Sequence, residues 1–167
     1  MDLENGQLKE SLNFIGRFCL DNKVKISVAE SVTAGLLQVM LSTCEKAGLF
    51  YEGGLTAYSC AQKLTNLGID RQECEKNEGV TMNIAELMAL QIAQRFDTQL
   101  ALGISGFASP IPEKGILELY AYSAIALNGE IVYAKRLEAV SENQIENQIH
   151  FAKDTIHLCA RFLNHLR

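Results

Sequence analysis

Helical and strand periodicities alternate along the 167 residues. One Asn-Gly pair separates two strand-type runs, and the only two prolines, Pro110 and Pro112, fall in a single short stretch. These observations predict an α/β fold, a three-layer α/β/α sandwich with a mixed rather than purely parallel sheet. Alternating helices and strands build parallel strands with helical crossovers, whereas an Asn-Gly turn joins antiparallel neighbours. A chain of this length buries about 70% of its unfolded surface on folding, so its core needs neither disulfide nor metal. No Gly/Ser linker, repeat or low-complexity tract divides it, and residues 1–167 read as one domain.

The elements follow in order. Leu8, Leu12, Ile15 and Cys19 recur at helical spacing, with Phe14 and Phe18 widening the stripe. Val24 to Val28 alternates strictly and predicts a strand. Thr33 to Glu45 reads as a helix with Leu36, Leu37, Met40 and Leu41 on one side, stopped by Gly48. Gly53-Gly54 precedes a short strand at Leu55–Tyr58. Cys60 to Asn66 is a helix ended by Gly68. Met82 to Phe96 carries Ile84, Leu87, Met88, Ile92 and Phe96 at helical spacing. Leu100 to Ser105 is a buried-type strand. Ile116–Leu127 and Glu130–Leu137 are strands joined at Asn128-Gly129, a strong hairpin signal. A last helix starts near Ser141, with Ile145, Ile149, Ala152, Ile156, Cys159, Leu163 and Leu166 as its stripe.

Composition narrows the functional classes. Hydrophobic residues make up 48% and charged residues 21%, which excludes disorder as the main state. The net charge is −5, and no basic run tracks a phosphate backbone, so nucleic acid is not the expected partner. No stretch reaches the ~18 uncharged apolar residues of a spanning helix, and a membrane is not expected either. Met1-Asp2-Leu3-Glu4-Asn5 is acidic and lacks a signal-peptide pattern. The five cysteines are scattered, odd in number and contain no Cys-x-x-Cys pair, which argues against a zinc site or a secreted disulfide framework and makes the cytoplasm the default compartment.

Three segments could carry chemistry. Glu30-Ser31-Val32-Thr33-Ala34-Gly35 follows a strand and opens a helix, where backbone N–H groups and the helix dipole can hold an anion or an oxyanion. Locally, Ser31 or Thr33 could equally serve only as a helix cap. In Gly53-Gly54-Leu55-Thr56-Ala57-Tyr58-Ser59-Cys60-Ala61-Gln62-Lys63, Tyr58 and Lys63 lie five residues apart, on different faces of any single helix. They converge only if Tyr58 ends a strand and Lys63 lies on the next helix. Taken alone they read as a half-buried tyrosine and a solvated lysine. No Gly-x-Gly-x-x-Gly follows the first strand, which disfavours a dinucleotide oxidoreductase. Gly103-Ile104-Ser105-Gly106-Phe107-Ala108-Ser109-Pro110 carries a strand into small residues that permit close approach of a ligand. Glu146, His150 and Asp154 share a helix face, but a solvated face is the better reading than a metal site.

In this order, the three segments resemble the C-terminal domain family of competence/damage-inducible protein CinA. The typical pattern there is Glu-Ser-Cys-Thr-Gly-Gly, then Gly-Gly…Tyr-Ser-x-x-x-Lys, then Thr-Gly-x-Ala-Gly-Pro. The match covers roughly residues 24–137. The resemblance implies an α/β/α fold, self-association as a dimer or higher oligomer, and hydrolysis of the carboxamide of nicotinamide mononucleotide to nicotinate mononucleotide and ammonia. No cofactor or metal is implied. Carried over by residue, Ser31 would be the nucleophile, Lys63 its base, and Tyr58 a hydrogen-bonding member of the same cluster. Glu30, Thr33, Ala34, Gly35, Ser105 and Gly106 would contact substrate, with Thr33 and the N–H groups of Ala34 and Gly35 facing an oxyanion or phosphate. A carboxamide is a poor electrophile, so an activated nucleophile and an oxyanion site make chemical sense.

This sequence departs from the pattern in places. Val32 stands for Cys, Ala34 for the first Gly, and Ser109 for the Gly before Pro110. The loop Ile111–Gly115 is short, and Ser141 to Gln148 carries none of the family's usual arginines. Two alternatives follow: a catalytically weak or silent homologue that binds a nucleotide-like ligand, and a non-enzymatic interaction module. The module reading expects Tyr58 and Lys63 to point apart or into solvent, and Ser31 within hydrogen-bond reach of Lys63 would argue against it.

Overall fold

Period-two alternation sorts the strands' side chains into two layers. In the computed structural model, which describes residues 6–166, β1 (Ile26–Glu30), β2 (Tyr51–Thr56), β3 (Leu100–Phe107), β4 (Tyr120–Leu127) and β5 (Glu130–Glu138) form a sheet of order β2-β1-β3-β4-β5. β1 is parallel to β2 and β3, whereas β3–β4 and β4–β5 are antiparallel. The sheet is therefore mixed, as expected. The reading of Met1–Asn5 lies outside the described residues.

One face is bulky. Ile26 and Val28 of β1 and Leu100, Leu102 and Ile104 of β3 pack against α1 (Gly6–Asn22), α2 (Leu36–Ser42) and α6 (Gln144–Asn164). The other face is small. Ala29, Ala101, Ala124 and Ala126 meet Ala85, Ala89 and Ala93 of α5 (Met82–Phe96), with α3 (Cys60–Leu67) and α4 (Arg71–Glu75) in the same layer. Gly103 has the tightest contact of this layer. A Cβ there would stand 2.2 Å from the Ala85 carbonyl oxygen and 2.6 Å from the Ala89 nitrogen. The α5 backbone thus lies directly on the sheet, and this draws the segment before α5 toward the end of β3.

Several boundaries differ from the periodicity reading. The second helix begins at Leu36 rather than Thr33, because Ala34 (φ 51°) and Gly35 (φ 102°) are left-handed. It ends at Ser42, well before Gly48, which instead lies in a 3-10 turn at Ala47–Leu49. The first strand begins at Ile26, and β2 runs Tyr51–Thr56, earlier than Leu55–Tyr58. β4 starts at Tyr120, since Ile116 only closes a small hairpin with Ile111. α6 starts at Gln144, where the Asn143 side chain accepts from the Ile145 and Glu146 N–H groups. α4 escaped the stripe reading because five residues hold little more than one turn. Among the described residues no helix is long and apolar enough to cross a membrane.

Gly103→Ala is expected to lower stability by about 1–3 kcal/mol, the cost of overpacking against backbone. Urea unfolding should show a reduced midpoint at unchanged slope; an unchanged midpoint would contradict this packing.

Candidate active site

β1 and β3 are neighbouring strands whose connections leave in opposite directions. From β1 the chain runs to β2 on one side, and from β3 it runs to β4 on the other. Clefts form outside the C-terminal ends of strands at such a switch point. Here the two ends are Ser31 and the Gly106–Ser109 segment. They line a cavity of about 330 Å³ together with Tyr58, Ser59, Lys63 and Gln148.

Alternation along β1 sends Glu30 and Ser31 to opposite faces. Glu30 enters the α2 side, fully buried. Its Oε2 accepts from the Thr33 hydroxyl at 2.6 Å, the Gly35 N–H at 3.0 Å and the Leu37 N–H at 3.1 Å, and its Oε1 accepts from the Gln38 N–H at 3.0 Å. Glu30 therefore caps α2 from the preceding strand, a task local reading gave to Ser31 or Thr33. A buried carboxylate facing a helix N-terminus is favoured by both hydrogen bonding and the helix dipole.

Ser31 enters the α3 side. Its N–H donates to the Ile104 carbonyl at 3.0 Å, which extends the ladder by one residue and fixes the side chain. Across the layer, α3 is opened by Ser59, whose side chain accepts from the Gln62 N–H. Its inward residues are Lys63 and Leu67, four apart on one face. A lysine thus occupies an apolar helix face and is only 1% exposed. Lys63 Nζ donates to Ser31 Oγ at 2.9 Å, and the Ser31 hydroxyl in turn faces the Tyr58 carbonyl at 3.4 Å. Among the described residues no carboxylate lies within ion-pair distance of Lys63. Burial pushes its pKa below the ordinary lysine value, against a smaller opposing pull from the nearby Cys60 and Cys74 thiols.

Several expected site residues do other work. Tyr58 meets Ser31 through its main-chain carbonyl, while the residue is 62% exposed at the cavity rim. The phenol is thus not the group that contacts the serine. Thr33 and Gly35 direct their donors to Glu30, and the Ala34 N–H turns back to the Ser31 carbonyl at 3.2 Å. None of Glu30, Thr33, Ala34 and Gly35 lines the cavity. Ser105 is buried and donates to the Gly79 carbonyl at 2.7 Å, so it ties β3 to the segment before α5. Gly106 does line the cavity, and a Cβ there would stand 2.5 Å from the Tyr120 carbonyl oxygen. The main-chain N–H of Val32, another lining residue, has no hydrogen-bond partner among the described residues. It is a free backbone donor at the cavity, whereas the Gly35 and Ala34 N–H groups are already taken by Glu30 and Ser31.

Residues outside the motifs complete the walls. Buried Asn147 donates to the Ala108 and Ser141 carbonyls, and Gln148 donates to the Val32 carbonyl at 2.9 Å. The first turns of α6 therefore hold both strand-end loops in place. Gln144 and Gln148, at i, i+4 spacing, line the cavity where arginines were expected. Glu78 and Lys114 pair across it. The i, i+4 spacing was readable in advance; the Glu78–Lys114 contact, made across two loops, was not. His150 and Asp154 approach to 3.6 Å on α6, and no group of three His, Cys, Asp or Glu suited to a metal occurs among the described residues.

Fold and site together define an α/β domain with a serine–lysine pair at a sheet switch point. The family model for the CinA C-terminal domain matches residues 9–163, and the chain belongs to that family. It is similar to the CinA-like protein of Mycolicibacterium vanbaalenii, with 35% identity over 67% of this chain and 27% of that protein. The CinA-like protein of Dictyoglomus thermophilum is 32% identical over 72% of this chain and 29% of its own length. The chain spans about a quarter to a third of the length of the curated relatives it matches. Among solved structures, the CinA superfamily protein from Enterobacter cloacae superposes with a TM-score of 0.86 at 22% identity, over 93% of this chain and 92% of that one. Competence damage-inducible protein A from Klebsiella pneumoniae gives 0.88 at 19% identity, over 96% and 99%. These two likenesses speak for the fold.

Glu30→Gln, which sets an amide NH₂ against backbone donors, is expected to cost about 1–3 kcal/mol. Chemical denaturation measures it, and wild-type stability would contradict the capping role.

Proposed function

We propose that the protein is an amidohydrolase that converts nicotinamide mononucleotide to nicotinate mononucleotide and ammonia, with Ser31 as nucleophile and Lys63 as its base. The observation that carries this reading is the 2.9 Å contact between Ser31 Oγ and a buried lysine that has no carboxylate within ion-pair distance among the described residues. The same contact argues against the non-enzymatic module, which would put Lys63 as well as Tyr58 toward solvent: Tyr58 is exposed, but Lys63 is buried against Ser31. The family resemblance motivates the substrate, and the cavity volume falls in the range of small-molecule sites.

The chemistry runs in two halves. Lys63 as a neutral amine takes the Ser31 proton, which swings from the Tyr58 carbonyl to Nζ as Oγ attacks the carboxamide carbon. The Val32 N–H is offered to the oxygen as it becomes an oxyanion. Lys63 then gives the proton to the amide nitrogen as the oxyanion re-forms the carbonyl, so that the C–N bond breaks and its electron pair leaves on ammonia. Water, deprotonated by Lys63, attacks the resulting ester, and Ser31 Oγ leaves with that proton. The sum is carboxamide plus water to carboxylic acid plus ammonia, with no cofactor consumed. Self-association belongs to this reading through the resemblance, and a cytoplasmic setting through the scattered cysteines.

Ser31→Ala and Lys63→Ala are each expected to slow ammonia release by at least about 10³-fold. Wild-type rates in both would reject the mechanism. Release of no ammonia by wild type, with a thermal shift on adding the mononucleotide, would instead identify a silent binder.

The pH dependence has a fixed sign. Activity needs uncharged Lys63, so kcat/KM should rise with pH and level off below the ordinary lysine value of 10.5. A plateau reached only near that value would contradict the burial argument. Stability follows the same group. Between the lowered folded pKa and the unfolded one, the unfolded chain binds more protons, so stability rises with pH across that window. Lys63→Met should abolish activity yet raise stability at neutral pH by roughly 1–3 kcal/mol, the cost of burying an incompletely paired polar group; thermal melts measure it.

A further inference from the structure

Among the described residues, three charged side chains line the cavity: Lys63, Glu78 and Lys114. Lys63 is buried and engaged with Ser31. The other two bridge the opening, Lys114 Nζ to Glu78 Oε2 at 2.6 Å, with side chains 48% and 46% exposed. Their neighbours along the wall, among them Ser59, Ser109, Gln144 and Gln148, are neutral. An anionic ligand entering here has one cation at hand.

Both partners are held by built structure. Glu78 is the middle of three consecutive left-handed residues, with φ of 44° at Asn77, 57° at Glu78 and 74° at Gly79. Side-chain-bearing residues rarely adopt that region, and such conformations gather at functional sites. Asn77 Nδ2 holds the turn by donating to the Val80 carbonyl and the Tyr120 hydroxyl, both at 2.8 Å, and Ser105 holds the Gly79 carbonyl. Lys114 stands on the tight turn Pro112–Lys114, closed by its own N–H to the Ile111 carbonyl and by the Ile111–Ile116 bridge.

We propose that Lys114 forms a phosphomonoester subsite of this cavity, and that Glu78 keeps the lysine in position until the phosphate displaces it. The proposal rests on the amidohydrolase reading for its substrate. A half-exposed ion pair contributes little net stability and opens readily. A phosphate dianion offers more charge and three acceptor oxygens where the carboxylate offers one negative charge. The short Ile111–Gly115 loop thereby supplies the cation that the start of α6 lacks.

The test compares ammonia release from nicotinamide mononucleotide and from nicotinamide riboside, the same carboxamide without phosphate. Lys114→Ala should raise KM for the mononucleotide and reduce its kcat/KM preference over the riboside about tenfold, the magnitude of a lost hydrogen bond to a charged group. Lys114→Arg should retain the preference, and Glu78→Gln should lower KM for the mononucleotide severalfold. An unchanged preference in Lys114→Ala, or equal losses on both substrates, overturns the proposal. If wild type releases ammonia from neither compound, the amidohydrolase reading fails by itself, and calorimetry with inorganic phosphate decides the subsite. Tighter binding by Glu78→Gln and about tenfold weaker binding by Lys114→Ala support it; equal or absent binding in wild type and both variants overturns it.

Discussion

An amine buried without a countercharge is unfavourable in its protonated form, and among the described residues none supplies one to Lys63. Its Nζ has a serine hydroxyl for a partner, and the helix face that carries it is otherwise apolar. Burial removes the hydration that an ammonium requires, so the neutral form gains. That same form is the one that can accept a proton from Ser31. On the proposed mechanism, the destabilising feature of the fold and the proton acceptor of the cleft are one side chain, a coupling of stability to activity that proteins commonly show.

Everything around the pair keeps it in register. Glu30 and Ser31 are adjacent on β1 yet serve opposite layers, because a strand turns successive side chains to opposite faces. Glu30 anchors the turn and α2 on one side, and so fixes where the chain leaves the sheet. Ser31 then has its backbone bonded to Ile104. Small residues beneath α5 let that helix settle on Gly103, which brings Gly79 to Ser105 and α3 to the mouth of β1. α6 completes the enclosure through Asn147 and Gln148, so residues far from the motifs in sequence shape the cleft.

Much of the fold was legible because its signals are local. Asn128 and Gly129 adopt φ of 53° and 83°, the left-handed pair that a two-residue hairpin requires. The long helix at Met82–Phe96 has both a Thr81 cap and an unbroken apolar stripe. The start of α2 was misplaced because its cap is the carboxylate of a residue in the preceding strand, outside any local capping pattern. Ser31 and Lys63 were legible through the family motif, but a motif conveys positions and not atoms. At Tyr58 the contact comes from the carbonyl, and at Thr33, Ala34 and Gly35 the donors turn to Glu30 and the backbone. The Glu78–Lys114 pair joins two loops 36 residues apart, a contact that periodicity does not encode.

The central claim concerns one proton. Nitrogen-detected NMR of ¹⁵N-lysine-labelled protein, with Lys63→Met to assign the signal, follows the Lys63 amine across a pH series. The account predicts a midpoint below that of the surface lysines, with the neutral amine present while they are still charged. A Lys63 signal that titrates together with the surface lysines would contradict it.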